Sequence, residues 1–213
     1  MNNHGVDPAI LKAWLSARSI ARGLPLPIPD HGGFRVDTKS DTEIARWVFA
    51  KSNSGLEHLA RSISDSRYFL KLCGAPGDLK SALPSGWKLH APGFFMRRTV
   101  PSTPIGHLPF GYTIEVKRNG MVAEARIFEA AGALAASGYA AETNDVFVYD
   151  RIITEPGHRR RGLGRALMQT LHDARQNPSA TELLVATEEG RTLYVALGWE
   201  TISPYSTASL VRP

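Results

Sequence analysis

The residues of this chain that are best suited to bind a ligand form a turn of four arginines and two glycines. Residues 159–165 read Arg-Arg-Arg-Gly-Leu-Gly-Arg. Gly162 and Gly164 allow the backbone to curl tightly and to come close to a ligand. Apolar residues recur every three or four positions from Leu163 to Ala174, which predicts an amphipathic helix that opens at the glycines. The first N–H groups of such a helix lack partners and carry the positive end of its dipole, so with the arginines they are suited to bind a phosphate.

Regular elements on both sides must hold this turn in place. The run 146–154 predicts a strand, and Pro156 ends its pairing because proline has no N–H. Strands are also predicted upstream, where Asn119-Gly120 is a strong two-residue hairpin signal, so that residues 112–154 form an antiparallel meander of four strands. After the turn we expect a helix over 163–175, a buried strand over 182–186, a helix over about 188–197 and a closing pair of strands over 199–202 and 206–211.

The turn resembles a known family signature. Arg159-Arg-Arg-Gly162-Leu-Gly164 matches the Q/R-x-x-G-x-G/A pattern of the GNAT superfamily of N-acetyltransferases. The order strand, signature, helix, strand, helix, strand is similar to that family as well. The resemblance covers about residues 106–213 and implies an α/β (α+β) fold with a mixed, mostly antiparallel central sheet flanked by helices.

The resemblance also implies a donor and the residues that bind it. Acetyl-CoA would be the acyl donor, with its pyrophosphate on the N–H groups of residues 161–165 and its pantetheine arm along the strand end before the signature. No metal is implied. The implied donor-binding residues are Ile152, Ile153, Thr154, Arg159, Arg160, Arg161, Gly162, Leu163, Gly164 and Arg165.

Tyr194 is the implied catalytic acid. Leu193-Tyr194-Val-Ala-Leu-Gly198-Trp199 resembles the L-Y-x-x-x-G-F segment of the family, in which the tyrosine often protonates the departing CoA thiolate. A phenol is protonated at neutral pH and is able to make this donation. The alternative is a half-buried helix aromatic with no catalytic part. The sequence departs from the family at Thr187, where an asparagine is common, so the resemblance does not imply the contact that this asparagine usually makes.

An amine acceptor must also lose a proton, which requires a carboxylate or a histidine within reach. Asp150 is our candidate for this base, although a charged residue on a strand often lies on its solvated face. Further candidates are Glu142, His158, Glu115 and His107. The acceptor site is expected along residues 90–112 and the loop before the helix of Tyr194. The aromatic residues Phe94, Phe95, Phe110 and Tyr112 of the first segment form either a pocket or part of the core.

The N-terminal region gives weaker signals. Asp7-Pro8 predicts a helix start and Gly23 its end. We then expect an extended proline-rich arm at 24–29 and a strand at 34–36. Helices are predicted after two pairs with capping-box spacing, Ser40 with Glu43 and Ser54 with Glu57. A strand at 68–73 and a helical turn at 78–83 follow. Residues 84–109, rich in proline and glycine, predict a long loop or linker. We therefore divide the chain near residue 105 into an N-terminal region, 1–105, and a GNAT-type domain, 106–213. Whether the first is a degenerate half or belongs to one domain stays open.

Composition restricts the class of protein. With 213 residues and 43% apolar residues the chain can bury a proper core, and no run approaches the ~18 apolar residues that span a bilayer. The start shows no targeting pattern and Cys73 is the single cysteine, which together favour the cytoplasm. Cys73 lies in an apolar run and is expected in the core. The net charge of +5 needs no nucleic-acid partner, because four arginines lie in the turn.

These patterns predict an N-acetyltransferase that moves an acetyl group from acetyl-CoA to a small-molecule, peptide or protein amine by direct attack in a ternary complex. The alternatives are a non-catalytic CoA-binding or regulatory module and, less favoured, a nucleic-acid-binding protein. No membrane partner is expected, and a homodimer is left open.

Overall fold

The computed structural model describes residues 5–99 and 108–211. Five α-helices lie within these residues: α1 Pro8–Ala21, α2 Ser54–Ser62, α3 Pro76–Ala82, α4 Leu163–Asp173 and α5 Glu188–Val195. None of the helices in these two ranges is both long and apolar enough to cross a membrane.

Twelve strands of the described residues form one mixed, mostly antiparallel sheet. Their bounds are β1 Ile28–Asp30, β2 Gly33–Asp37, β3 Ala45–Phe49, β4 Tyr68–Cys73, β5 Trp87–Leu89, β6 Gly93–Arg98, β7 Tyr112–Asn119, β8 Val122–Glu129, β9 Leu134–Glu142, β10 Val146–Thr154, β11 Thr181–Ala186 and β12 Trp199–Leu210. The strand order is β1-β2-β3-β4-β12-β6-β11-β10-β9-β8-β7, and β5 pairs with β12 beside this path. Helices flank the sheet, so the expected fold class is confirmed.

The predicted meander is confirmed. Strands β7, β8, β9 and β10 pair antiparallel in succession, and the first hairpin closes where Asn119 opposes Val122. Small and apolar side chains alternate inward along β8, where Ala123, Ala125 and Ile127 are buried against α4. The local pattern was sufficient here because every pairing joins neighbours in the chain.

Two strands diverge next to the arginine turn. β10 runs parallel to β11 only from Val146 to Val148, after which β10 continues beside β9 and β11 continues beside β6. A bulge in β10 lies between Asp150 and Ile153, and Arg151 has a positive φ of 54°. Because the two strands no longer pair beyond Val148, a gap opens at the end of β10 that leads into the turn.

The first helix packs on the C-terminal half of the sheet. Asp7 caps α1 by accepting a hydrogen bond from the backbone N–H of Ala9 at 2.7 Å, as the sequence indicates. Leu11, Trp14 and Leu15 are fully buried in a core that also includes Val148 of β10. Burial of these large side chains fixes α1 across β9 and β10.

The two halves of the chain show the same order of elements. An antiparallel pair (β2, β3), a helix (α2), a strand parallel to the second of the pair (β4) and a helix (α3) precede β5 and β6. The same order occurs in β9, β10, α4, β11 and α5 before β12. The last strand of each series inserts beside the other series, because β12 lies next to β4 and β6 lies next to β11.

Three expectations for secondary structure are wrong. Ser40 and Glu43 do not begin a helix: the Ser40 hydroxyl and the Glu43 backbone close a turn at 2.9–3.0 Å, and the β-branched and aromatic run that follows becomes the buried strand β3. The stretch 84–109, expected as a loop, contributes β5 and β6. The closing pair is one bulged strand, β12, rather than two.

Two further expectations need less change. Asn53, and not Ser54, caps α2, and its side chain accepts a hydrogen bond from the N–H of Leu56 at 2.9 Å. The boundary placed near residue 105 lies outside the described residues, as does His107.

Candidate functional site

The arginine turn presents a row of free backbone donors. A short 3-10 helix, Pro156–His158, leads into it, and Gly162 forms the N-cap of α4 with φ at +82°. Arg160 also has a positive φ of 61°. None of the backbone N–H groups of residues 160–164 donates to an acceptor within the described ranges. Consecutive free N–H groups at a helix start make a concave site for an anion.

The side chains of the turn add positive charge with little local compensation. Arg159 contacts Glu189 at 3.4 Å and the carbonyl of Thr154 at 3.3 Å. Arg161 donates to the hydroxyl of Tyr112 at 3.0 Å. Among the described residues that line the adjoining cavity, Glu189 is the one acid beside three of the four turn arginines, so the site attracts anions.

A cavity of about 570 Å³ extends from this turn. Its wall is formed by the end of β10, the start of α4 and one side of α5, and includes Ile152, Ile153, Thr154, Gly164, Leu193 and Tyr194. Its volume is in the range of sites for organic ligands. The donor-binding residues implied by the resemblance, apart from Arg161, therefore lie around one cavity. Most of them are close in sequence, whereas α5 is brought to the cavity by the tertiary structure.

Gly164 is required for close packing as well as for access. A Cβ atom at this position would lie 3.1 Å from a terminal methyl group of Leu193 and 3.6 Å from the hydroxyl of Thr154. Both residues line the cavity. A larger side chain at position 164 would therefore fill the space between α4, α5 and β10.

Tyr194 forms part of the wall of this cavity. It is 7% exposed, and its ring packs 6.1 Å from that of Trp199. Burial raises the pKa of Tyr194 to about 12, so its hydroxyl is protonated at neutral pH. No described residue accepts a hydrogen bond from this hydroxyl, so its proton is free for a ligand. Thr187, at the position of the family's asparagine, caps α5 by accepting from the N–H of Gly190 at 3.1 Å.

A second cavity, of about 240 Å³, adjoins the first. It lies between α1 and the diverging strands β10 and β11, and shares Ile152, Gly190 and Tyr194 with the first cavity. Its other lining residues include Trp14 and Arg18 of α1 and Arg22, the residue that follows this helix. Sequence reasoning identified α1 only as a packing helix and missed these two arginines, because nothing in their spacing marks them as part of a site.

Asp150 lines the second cavity and is held by arginines. Its carboxylate accepts from Arg22 at 2.6 and 2.9 Å and from Arg18 at 3.3 Å, and Arg151 approaches to 3.4 Å. Burial alone would raise the pKa of Asp150, but the hydrogen bonds from Arg22 and the charges of all three arginines outweigh it, so the pKa lies below its ordinary value. Asp150 is therefore ionised at neutral pH.

The other candidate bases lie elsewhere. Glu142 accepts from the backbone N–H groups of Gln176 and Asn177 and from Arg118, and these bonds outweigh the effect of burial and lower its pKa. It fastens the chain that follows α4 and lines neither cavity. His158 bonds to the hydroxyl of Tyr112 at 3.0 Å, and Glu115 is exposed on β7.

The aromatic residues expected at the acceptor site are dispersed. Phe95 is fully buried in the core, and Phe110 is fully exposed. The Phe94 ring lies under the guanidinium of Arg191, 4.4 Å from it. These residues do not line the two cavities of the described chain.

Comparison with known proteins agrees with this geometry. Residues 117–201, which contain β10, the arginine turn and Tyr194, match the family model of the acetyltransferase (GNAT) domain. No curated protein sequence matches the chain.

Solved structures extend the likeness over the N-terminal region. A GCN5-related N-acetyltransferase from Kribbella flavida aligns with a TM-score of 0.63 at 14% identity, over 98% of this chain and 97% of its own. One from Sphaerobacter thermophilus gives 0.60 at 13% identity, over 99% and 95%. A tandem GNAT protein from the clavulanic acid biosynthesis pathway gives 0.55 at 13% identity, over 79% and 75%. At such identities these structures are informative about the fold alone.

The family match and the solved structures agree with the site. The resemblance seen in the sequence is confirmed: residues 117–201 match the model of the acetyltransferase (GNAT) domain, and the chain has the fold of GNAT proteins along almost its whole length.

Proposed function

We propose that this protein is an N-acetyltransferase that moves an acetyl group from acetyl-CoA to an amine. The observation that carries the proposal is the row of free N–H groups at residues 160–164 beside a cavity whose wall includes the buried phenol of Tyr194. An anionic donor with a long apolar and amide-bearing arm suits such a cavity, because its phosphates and its reactive end need different surroundings.

The chain offers a separate group for each part of the donor. The N–H groups of residues 161–165 would hold the pyrophosphate, with the arginine side chains as counter-charges that contribute only about 1 kcal/mol each where exposed. The free edge of β10 at Ile152, Ile153 and Thr154 would pair with the amides of the pantetheine arm like an additional strand.

The transfer itself needs one proton to be removed and one to be supplied. The neutral amine nitrogen attacks the thioester carbonyl carbon, and the C–S bond breaks with its electron pair on sulfur. Tyr194 would donate its proton to this thiolate, since its hydroxyl is protonated and donates to no acceptor among the described residues.

Asp150 stays our candidate for the base. Because its pKa is lowered, Asp150 is ionised but weakly basic. If Asp150 takes the amine proton directly, Asp150→Asn should remove the acidic limb of the pH profile of kcat/KM; otherwise that limb should remain.

A non-catalytic CoA-binding module is the second candidate function. Two observations favour it: Thr187 uses its hydroxyl to cap α5, and Asp150 is engaged by arginines. In this case the donor would bind and no acceptor would be acetylated.

We propose further that the chain consists of a degenerate half, residues 1–105, and the GNAT-type domain, residues 106–213. The repeated order of elements supports this division. The counterpart of the arginine turn is the start of α2, and there the chain covers the helix end. A Cβ atom at Gly55 would lie 1.8 Å from the carbonyl oxygen of His31, and Asn53 caps the helix. We therefore assign donor binding to the second half alone.

Calorimetric titration with acetyl-CoA, CoA and ATP tests the proposal first. We expect both CoA forms to bind in the micromolar range and far more tightly than ATP, because the pantetheine contacts are absent from ATP. An acceptor screen by thiol release would then separate the enzyme from the non-catalytic module. Failure of both CoA forms to bind would exclude both functions.

A further inference from the structure

The second cavity adjoins the proposed reaction centre and is not lined by the arginine turn. It shares Ile152, Gly190 and Tyr194 with the first cavity, whereas none of the four turn arginines lines it. Its volume of about 240 Å³ corresponds to roughly eight water molecules at ~30 Å³ each. A small molecule, or the end of a longer one, would therefore fit beside Tyr194.

The charges on the wall of this cavity do not balance. Its lining includes three cations, Arg18, Arg22 and Arg151, and one anion, Asp150. The residues are largely withdrawn from water, since the side chains of Arg18 and Asp150 are 19% and 7% exposed. A partly buried positive charge is stabilised by a nearby anion. One carboxylate, although it contacts all three guanidinium groups, neutralises only one of their three charges.

The three arginines are engaged to different degrees. Arg22 uses Nε and Nη2 on Asp150, and Arg151 donates Nη2 to the carbonyl of Ala21 at the end of α1. Arg18 uses only Nε, on Asp150. Its Nη1 and Nη2 groups have no hydrogen-bond acceptor within residues 5–99 and 108–211. Burial and the charge of Arg22 lower the pKa of Arg18, and Asp150 offsets them only in part, which agrees with an unmet need for negative charge.

A neighbouring aromatic residue also has an unused donor. Trp14 lines the cavity, lies under the Arg18 guanidinium at 5.3 Å, and is 1% exposed. Its indole N–H has no hydrogen-bond partner among the described residues. The indole fixes Arg18 in place from one side, so the free Nη groups of Arg18 are held rather than mobile.

We propose that this cavity binds the acceptor, and that the acceptor is a small amine bearing a carboxylate that pairs with Arg18. The proposal rests on the acetyltransferase function above and names its substrate class. The planar guanidinium group of an arginine can donate two parallel hydrogen bonds to the two oxygens of a carboxylate. Asp150, next to Arg18, supplies the one negative charge near the amine. The N-terminal helix thereby selects the acceptor, and the C-terminal half binds the donor.

The test compares amines that differ only in the carboxylate. Each standard amino acid and β-alanine is assayed against its own amide by thiol release at saturating acetyl-CoA, with rates corrected for the fraction of neutral amine. We expect at least one carboxylate-bearing amine to be acetylated with a kcat/KM about tenfold to a hundredfold above that of its amide, the range that charge-assisted hydrogen bonds give.

Variants of α1 assign the preference to Arg18. Arg18→Gln should raise KM for the carboxylate acceptor about tenfold or more and remove the preference over the amide, while the Kd for acetyl-CoA stays the same. Arg18→Lys, which keeps the charge, should retain part of the preference. Lys12→Gln is the matched control, because Lys12 is an exposed cation on the same helix and does not line the cavity. It should behave as the wild type.

The outcomes separate the inference from the proposed function. Equal rates for amines and amides, turnover of no carboxylate-bearing amine while acetyl-CoA still binds, or a preference unchanged in Arg18→Gln would each overturn the acceptor assignment and leave the donor site standing. Loss of acetyl-CoA binding by the wild type would instead refute the proposed function, and the acceptor assignment with it.

Discussion

Gly162 offers a sharp test of the donor site, because it has one conformational task and almost no contacts. Its φ is +82°, and a Cβ atom built on it would meet only Pro109, at 3.9 Å. Gly162→Ala therefore introduces no clash. It penalises only the left-handed backbone that directs the N–H groups of residues 163 and 164 outward from the start of α4.

The size of the effect follows from that backbone. The left-handed conformation costs an L-residue other than glycine about 1–2 kcal/mol. If the free protein relaxes away from this conformation and must return to it when the donor binds, the same free energy appears in the affinity. The Kd for acetyl-CoA should then rise about five- to thirtyfold.

A matched control separates this effect from general destabilisation. Gly120 has φ at +55° and no atom within 4 Å of its would-be Cβ, and it lies in the β7–β8 turn at the other end of the meander. Gly120→Ala should lower the midpoint of thermal unfolding and leave the Kd unchanged. Titration calorimetry and thermal denaturation of the two variants give both quantities. If Gly162→Ala unfolded at the wild-type midpoint, so that its turn had relaxed, and still bound acetyl-CoA as tightly as the wild type, the turn would not be the anion site.

Three other predictions address the reaction and the fold. Tyr194→Phe should lower kcat about a hundredfold with little change in the Kd for acetyl-CoA, and stopped thiol-release assays showing wild-type turnover would remove its role as the acid. Cys73 is fully buried and burial raises its pKa to about 12, so a thiol reagent at pH 8 should label it only after denaturation; rapid labelling of the native protein would contradict this. Since the pKa of Glu142 in the folded protein lies below the ordinary value of about 4.3, its stabilisation is present above that pH and is lost on acidification through the folded value. Glu142→Gln should therefore flatten the fall of the urea midpoint below about pH 4.3, and an acid limb as steep as that of the wild type would show that other groups cause it.

The parts of the fold that the sequence predicted correctly depend on contacts between near neighbours. The hairpin at Asn119-Gly120 and the helix that begins after Gly162 follow from turn chemistry and hydrophobic period within a few residues. The spacing of Ser40 and Glu43 failed because it specifies only a local hydrogen bond. A turn satisfies that bond as well as a helix does, and burial of the next five residues as β3 decided between them.

Seven consecutive residues are enough to give the arginine turn its affinity for anions, because its arginines, its glycines and a helix start all act within them. The residues around the rest of the cavity come together through long-range packing. β6 lies in the centre of the sheet although its stretch has the composition of a loop, because its partners β11 and β12 come from distant parts of the chain. Likewise Arg18 and Arg22 reach Asp150 across 132 and 128 positions of the chain. Such an ion pair leaves no periodic trace in a sequence, because its geometry depends on how α1 packs across β10 rather than on the residues beside either partner.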